Sequence, residues 1–185
     1  PFMHTPGVAT ALTSNGVDNA DAFVLTVDPT DPTRYLYDGE ARPFTFETVE
    51  LTQADGSVAT LDLAWAEMGP VLYPADVDFS DDEQVVVGAA TMYDRVNSLT
   101  QLAAMNYSRT LDQFKDAMSL LQLQRWHIMV GTSAGDVYYL HNSVHPDRAE
   151  GYNYRKLIEV NGPETDWTTR APMPFEWLAS ATNND

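Results

Sequence analysis

The feature that most narrows the fold is the order of the apolar patterns: alternating runs joined by turn signals, then a helical stretch, then another pair of alternating runs. Side chains alternate across a strand and recur every three to four residues on a helix, so each pattern selects one kind of element. Phe23, Leu25 and Val27 alternate and predict a strand. Pro29 and Pro32 interrupt it, and Tyr35–Tyr37 leads into the Asp38-Gly39 turn signal, which makes a first hairpin. Phe44–Leu51 and the alternating Leu61, Leu63 and Trp65 flank Asp55-Gly56, a dipeptide suited to the positive φ angles of a tight turn, and predict a second. Gly69-Pro70 is expected to close this strand region, and Asp76, Asp78, Asp81, Asp82 and Glu83 to form an acidic surface loop.

Ser98 with Gln101, and Thr110 with Gln113, have the spacing of a capping box, so two helices are expected to start there. Leu111, Phe114, Met118 and Leu121 fall on one face of the second, which should lie against a sheet. Trp126–Val130 and Val137–Leu140 flank the polar turn Ser133-Ala134-Gly135-Asp136 and predict a third hairpin. Residues 142–174 lose periodicity and collect proline, glycine, asparagine and charge, as for an extended excursion over a surface. Hairpins on both sides of a helical pair indicate an α+β chain, read as one segment over 1–185.

Charge excludes some partners. With 27 acidic and 10 basic residues the formal charge is −17, which repels phosphate backbones and anionic lipid, so neither nucleic acid nor a membrane is an expected partner. The chain has no cysteine, which excludes disulfides and thiolate metal sites, and it carries no transmembrane or leader-like run.

A few groups have the chemistry of a site. Asp18 and Asp21 lie three residues apart around a turn, where two carboxylates and an intervening carbonyl suit calcium; equally, Asp18 and Asn19 suit turn capping. The carboxamides of Thr182-Asn183-Asn184-Asp185 can donate to a developing oxyanion, and asparagine pairs are also common turn formers. His127 on a predicted strand, and His141 and His145 around a loop, lack helical i, i+4 metal-site spacing and a nearby carboxylate partner, and read as surface or core-edge histidines. Ser14 lacks a nucleophile-elbow motif, and Pro1, a conceivable secondary-amine base, has no supporting neighbours.

Taken in order, the motifs resemble a continuous stretch of the large subunit of penicillin-amidase-family acylases. Ala9–Phe23 is similar to the family's A-W-G-x-T-N-x-G-x-D-x-x-D-x-Y segment, with Thr13, Gly16, Asp18 and Asp21 in register. Asp31–Glu40, Gly69-Pro70-Val71-Leu72, Met105–Phe114, the hairpin with Gly135–Tyr139, and Ala181–Asp185, similar to A-N-N-D-P, follow in the family's order. Thr10 replaces the tryptophan of A-W-G and Met68 the histidine of H-G-P-V.

The resemblance implies part of an N-terminal-nucleophile αββα sandwich, in which antiparallel sheets lie between helical layers. It implies hydrolysis of the amide bond of N-acyl compounds through an acyl-enzyme on a nucleophile exposed by self-cleavage outside this stretch. This chain alone is therefore expected to be inactive, and its partners to be the other chains or segments of the same acylase and an N-acyl substrate. The oxyanion donors implied are the backbone N–H of Ser14 and the side chain of Asn183, or of Asn184 if the register slips by one. Trp126 matches an aromatic of the acyl pocket, with a structural core role as the alternative. Asp18, the carbonyl of Ala20, and Asp21 match a structural calcium site, and no redox or organic cofactor is implied. Export to the periplasm or medium is the implied location. A non-catalytic, acidic, calcium-stabilised β-rich binding module is the competing reading.

Overall fold

The computed structural model describes residues 2–91, 93 and 95–183. The readings of Pro1, Asn184 and Asp185 therefore lie outside the described residues. In chain order the first strands are β1 (Phe2–His4), β2 (Val8–Ser14), β3 (Ala20–Asp28), β4 (Asp31–Tyr37), β5 (Glu40–Pro43), β6 (Thr45–Thr52), β7 (Val58–Ala66), β8 (Gly69–Tyr73) and β9 (Gln84–Ala90). The helices α1 (Ser98–Tyr107) and α2 (Leu111–Met118) follow, then β10 (Trp126–Thr132), β11 (Val137–Asn142), β12 (Ile158–Glu159) and β13 (Ser180–Thr182). The expected α+β class, with antiparallel sheets and few helices, is the one observed. The segment read as one piece divides into two compact units: Pro1–Asn19, Thr91–Pro146 and Pro172–Asp185 form the first, Ala20–Ala90 and Asp147–Ala171 the second.

The first unit is built on an antiparallel sheet of order β1-β2-β10-β11-β13. The period of two places Val8, Ile128, Val130, Tyr138 and Leu140 in one buried cluster, and Met105 of α1 with Phe114 and Met118 of α2 complete it. The stripe predicted for α2 thus lies against a sheet, as expected. Its cap is half the expected box. Thr110 accepts from the Gln113 N–H at 3.3 Å, while the Gln113 side chain accepts from the N–H of Arg109, one residue before the position a full box requires.

The box expected at Ser98 does not form; Asn97 is the N-cap and makes no side-chain cap bond. Gln101 is instead fully buried, and its Oε1 accepts from the N–H groups of Gln122 (2.6 Å) and Leu123 (2.8 Å). Two partly buried loop donors outcompete one helix-end donor for the buried Gln101 oxygen.

The second unit carries the sheet β5-β4-β3-β9-β8-β7-β6, antiparallel throughout, with β12 added parallel to β3. Phe23, Leu25, Tyr35, Phe44, Phe79, Val85, Val87 and Trp167 form its interior. Asp38 (φ 52°) and Gly39 (φ 77°) supply the paired positive φ angles of the β4–β5 hairpin turn.

Two expectations need correction here. Pro32 does not end a strand but sits in β4, where the ladder with β3 shifts register between Val27 and Asp28, a place that tolerates a residue without an N–H. Gly69-Pro70 opens β8 rather than closing the sheet, and β9 follows unforeseen. The run Gln84–Ala90 lies between β3 and β8 and is buried through Val85, Val87, Gly88 and Ala89, so it lacks the alternation that marks a half-exposed strand. The acidic loop is at the surface through its charges, yet Phe79 anchors it in the interior.

The excursion predicted over 142–174 runs mainly at the surface but is pinned by a few buried anchors. Asn142, Ser143 and Val144 are buried in the first unit; Ile158, Val160 and Trp167 are buried in the second. Ile158 pairs with Phe23, and the Val160 N–H donates to the Val24 carbonyl at 3.0 Å. A few apolar anchors without a period suffice once the loop's backbone groups find partners, and no periodicity count detects them.

Truncating Phe114 to Ala removes a fully buried ring from the first unit and is expected to cost about 3–5 kcal/mol in equilibrium unfolding. In the second unit burial raises the pKa of Tyr35, Tyr37 and Tyr154, and for Tyr37 the Asp166 carboxylate that accepts its O–H at 3.1 Å adds to the effect. Because the folded values are raised, their contribution is intact below the ordinary tyrosine value of about 10 and is lost as the pH rises above it. Tyr37→Phe should flatten that alkaline loss in a melting series against pH.

Candidate active site

The far end of the sheet in the first unit brings two of the candidate residues together. Ser14 closes β2 directly opposite Trp126, the first residue of β10. The next pair outward is hydrogen-bonded, since the Asn15 N–H donates to the Arg125 carbonyl at 3.0 Å. Bonded and non-bonded pairs alternate along an antiparallel ladder, so Ser14 and Trp126 form a non-bonded pair with side chains close on one face. The Ser14 N–H therefore points away from β10, to the side of β2 where β1 lies, three residues beyond Ala11, the position that pairs with Phe2. Ser14 is exposed there, and Trp126 is half-buried against the cluster shared with α1 and α2.

Asn183 is placed elsewhere. Its N–H donates to the Val137 carbonyl (3.0 Å), its Oδ1 accepts from the Val137 N–H (3.1 Å), and its Nδ2 donates to the Gly135 carbonyl (3.1 Å). It clamps the turn of the β10–β11 hairpin with both ends of its carboxamide. Trp126, opposite Ser14, pairs with Asn142 at the other end of β11 from Val137. Five residues of strand and three strand spacings separate the two groups, roughly 20 Å in all. The expected pairing of Ser14 and Asn183 as joint oxyanion donors is not assembled in this structure, because register, which motif order does not report, sends them to opposite ends of the sheet.

The residue after Ser14 opens one of two buried carboxamide clusters in this unit that sequence reasoning missed. Asn15 donates through Nδ2 to the Asn142 carbonyl (2.9 Å), and Asn142 through Nδ2 to the Leu123 carbonyl (2.8 Å). Gln124 accepts from Asn19 (2.5 Å) and Thr91 (3.2 Å) and donates to the Thr91 carbonyl (3.2 Å). The Asn15 and Asn142 side-chain oxygens and the Ser143 hydroxyl are buried with no hydrogen-bond partner among the described residues. Buried acceptors of this kind favour a hydrogen-bond donor beside them. A run of uncharged amides on strand ends and loops has no sequence spacing by which to find it.

The histidines form a stack on the sheet face opposite Ile128. His127 Nδ1 lies 2.8 Å from the Tyr139 hydroxyl, and its ring centroid 5.0 Å from that of His141. Among the described residues no group of three or more His, Asp or Glu side chains has the geometry to hold a metal ion.

The calcium candidates fare differently from expectation. Asp18 belongs to the first unit and is exposed; Ala20 and Asp21 belong to the second. The Asp21 side chain is only 1% exposed, and its oxygens already hold three donors: Arg148 Nε (2.7 Å) and Trp167 Nε1 (2.7 Å) on Oδ2, and Arg148 Nη2 (2.9 Å) on Oδ1. A calcium ion needs six to eight oxygen ligands. A carboxylate gripped at both oxygens by a guanidinium does not offer them, so these residues do not fit the implied metal.

Comparison with known proteins agrees with this architecture. The penicillin amidase family model matches residues 2–185. The acyl-homoserine lactone acylase PvdQ of Pseudomonas fluorescens is 30% identical over 140 residues, 71% of this chain and 18% of that protein. Its counterpart in Pseudomonas syringae pv. tomato is 31% identical over 144 residues, again 18% of the relative's length. A thermostable penicillin G acylase from Alcaligenes faecalis superposes on 95% of this chain and 31% of its own with a TM-score of 0.79 at 16% sequence identity, a likeness of fold. The chain thus spans less than a fifth of the length of these curated relatives. With the family model matched from residue 2 to 185 and the acylase fold reproduced, the chain belongs to the penicillin amidase family.

Proposed function

We propose that this chain supplies one wall of the active site of an acylase that hydrolyses the amide bond of N-acyl compounds. The placement of Ser14 supports this reading most: an exposed strand-end residue whose N–H is directed out of the β2–β10 ladder, beside a large aromatic. A carbonyl carbon attacked by a hydroxyl becomes a tetrahedral oxyanion, and an N–H already aimed at that oxygen stabilises it without reorganisation. Trp126, on the same face, offers a rigid apolar surface for an acyl group, which separates the acyl side of a substrate from its leaving amine. The relatives' names support N-acyl substrates, among them acyl-homoserine lactones and the side chain of β-lactams.

In this reading the hydroxyl nucleophile and its amine base come from residues beyond the 185, exposed by autoproteolytic processing, and the remainder of the same acylase is the partner of this segment. The isolated chain is then inactive, and the complete protein works in the periplasm or medium. Asn183 acts as the hairpin clamp described above, and a donor from elsewhere completes the oxyanion hole.

The test separates backbone from side chain in the complete acylase. Ser14→Ala keeps the N–H and should retain near wild-type kcat. Ser14→Pro removes it at a strand end that tolerates proline and should lower kcat about a hundredfold or more. Equal losses in both variants would reject the backbone role. Trp126→Ala should raise KM for long or aromatic acyl groups more than for short ones; a uniform effect across acyl groups would reject the acyl-wall assignment.

A further inference from the structure

We infer that the positive charge serving Asp21 is permanent and covalent: Arg148 occupies the role a calcium ion would have, and the second unit is indifferent to calcium at this position. The geometry is that of a two-point clamp. Arg148 Nε meets Oδ2 at 2.7 Å and Nη2 meets Oδ1 at 2.9 Å, and the two donors of a planar guanidinium match the two oxygens of a carboxylate. Trp167 Nε1 adds a third donor at 2.7 Å, and its ring packs edge-on against Phe23 with centroids 6.0 Å apart. The guanidinium also lies over the Tyr154 ring, 5.5 Å from its centroid, and the Tyr154 hydroxyl donates to the Thr165 carbonyl at 3.1 Å.

Each donor to Asp21 comes from the segment Asp147–Ala171, while Asp21 itself sits in β3 opposite Ala89. The clamp therefore does mechanical work: it ties a long irregular segment to the edge of β3 left open by β9, where Ile158 and Val160 then pair. A mobile divalent ion would bridge the same two pieces through several carboxylates or carbonyls. Here one carboxylate, buried to 1% exposure, meets a fixed cation and an indole N–H. Removing one partner from such a pair leaves an uncompensated buried charge.

Two measurements on the complete chain decide it. Thermal unfolding of the wild type in calcium and in chelator should give the same Tm, and Arg148→Gln in chelator should lose roughly 10 °C. Terbium(III), which takes calcium sites and is sensitised by a nearby indole, should give no saturable emission beyond that of a Trp167→Phe control. Saturable emission that Trp167→Phe abolishes would overturn the inference, as would an Arg148→Gln protein with the wild-type Tm. If Arg148→Gln does not fold, the terbium titration of the wild type against its control decides alone.

Discussion

The geometry of the candidate site rests on the alternation of hydrogen-bonded and non-bonded pairs along β10. Its even-numbered residues exchange bonds with β11 and its odd-numbered ones with β2, as the bonds Thr132 N–H to the Asp136 carbonyl and Asn15 N–H to the Arg125 carbonyl require. This parity turns the Ser14 N–H outward and sets its side chain beside Trp126. A slip of one residue would turn the amide into the ladder and move every apolar side chain to the wrong face. The buried cluster of Ile128, Val130, Tyr138 and Leu140 against α1 and α2 forbids that slip, so core packing and the direction of a single donor are one constraint.

A second constraint operates in the other unit, where a long irregular segment has to be held without periodic packing. Ion pair, indole and parallel pairing converge on one strand: Arg148 and Trp167 on Asp21, Ile158 opposite Phe23. Surface ion pairs contribute little to stability, but a dry, bidentate one is costly to break, which suits it to fixing position rather than to adding stability. Asp21 stood out in the sequence as a metal ligand because carboxylates spaced three apart satisfy that chemistry. A carboxylate's preference between calcium and guanidinium is decided by what arrives from 127 residues away in the chain, which local spacing does not contain.

Asn183 and Ser14 illustrate the same limit. Both belong to segments whose order along the chain matches that of the family, and both are capable donors. Chain order carries no information on strand register, and in this structure register sets them at opposite ends of one sheet. The Asn15–Asn142 and Asn19–Gln124 hydrogen bonds show the converse, since these polar residues, singled out by no ligand spacing, meet partners more than a hundred residues away in the interior.

The sequence by itself determined the α+β class, the three hairpins, the face of α2 that is buried, and the family, because each depends on local periodicity, turn chemistry or motif order. It did not contain β9, whose burial on both faces erases alternation, the buried anchors within residues 142–174, or the competition that draws Gln101 away from its expected cap. Tertiary structure alone decided which donor points out of the sheet, which carboxamide is spent on a turn, and which cation Asp21 holds. The physical reason is common to all of these: a buried polar group takes the partner that packing delivers, and the partners delivered here are distant in sequence.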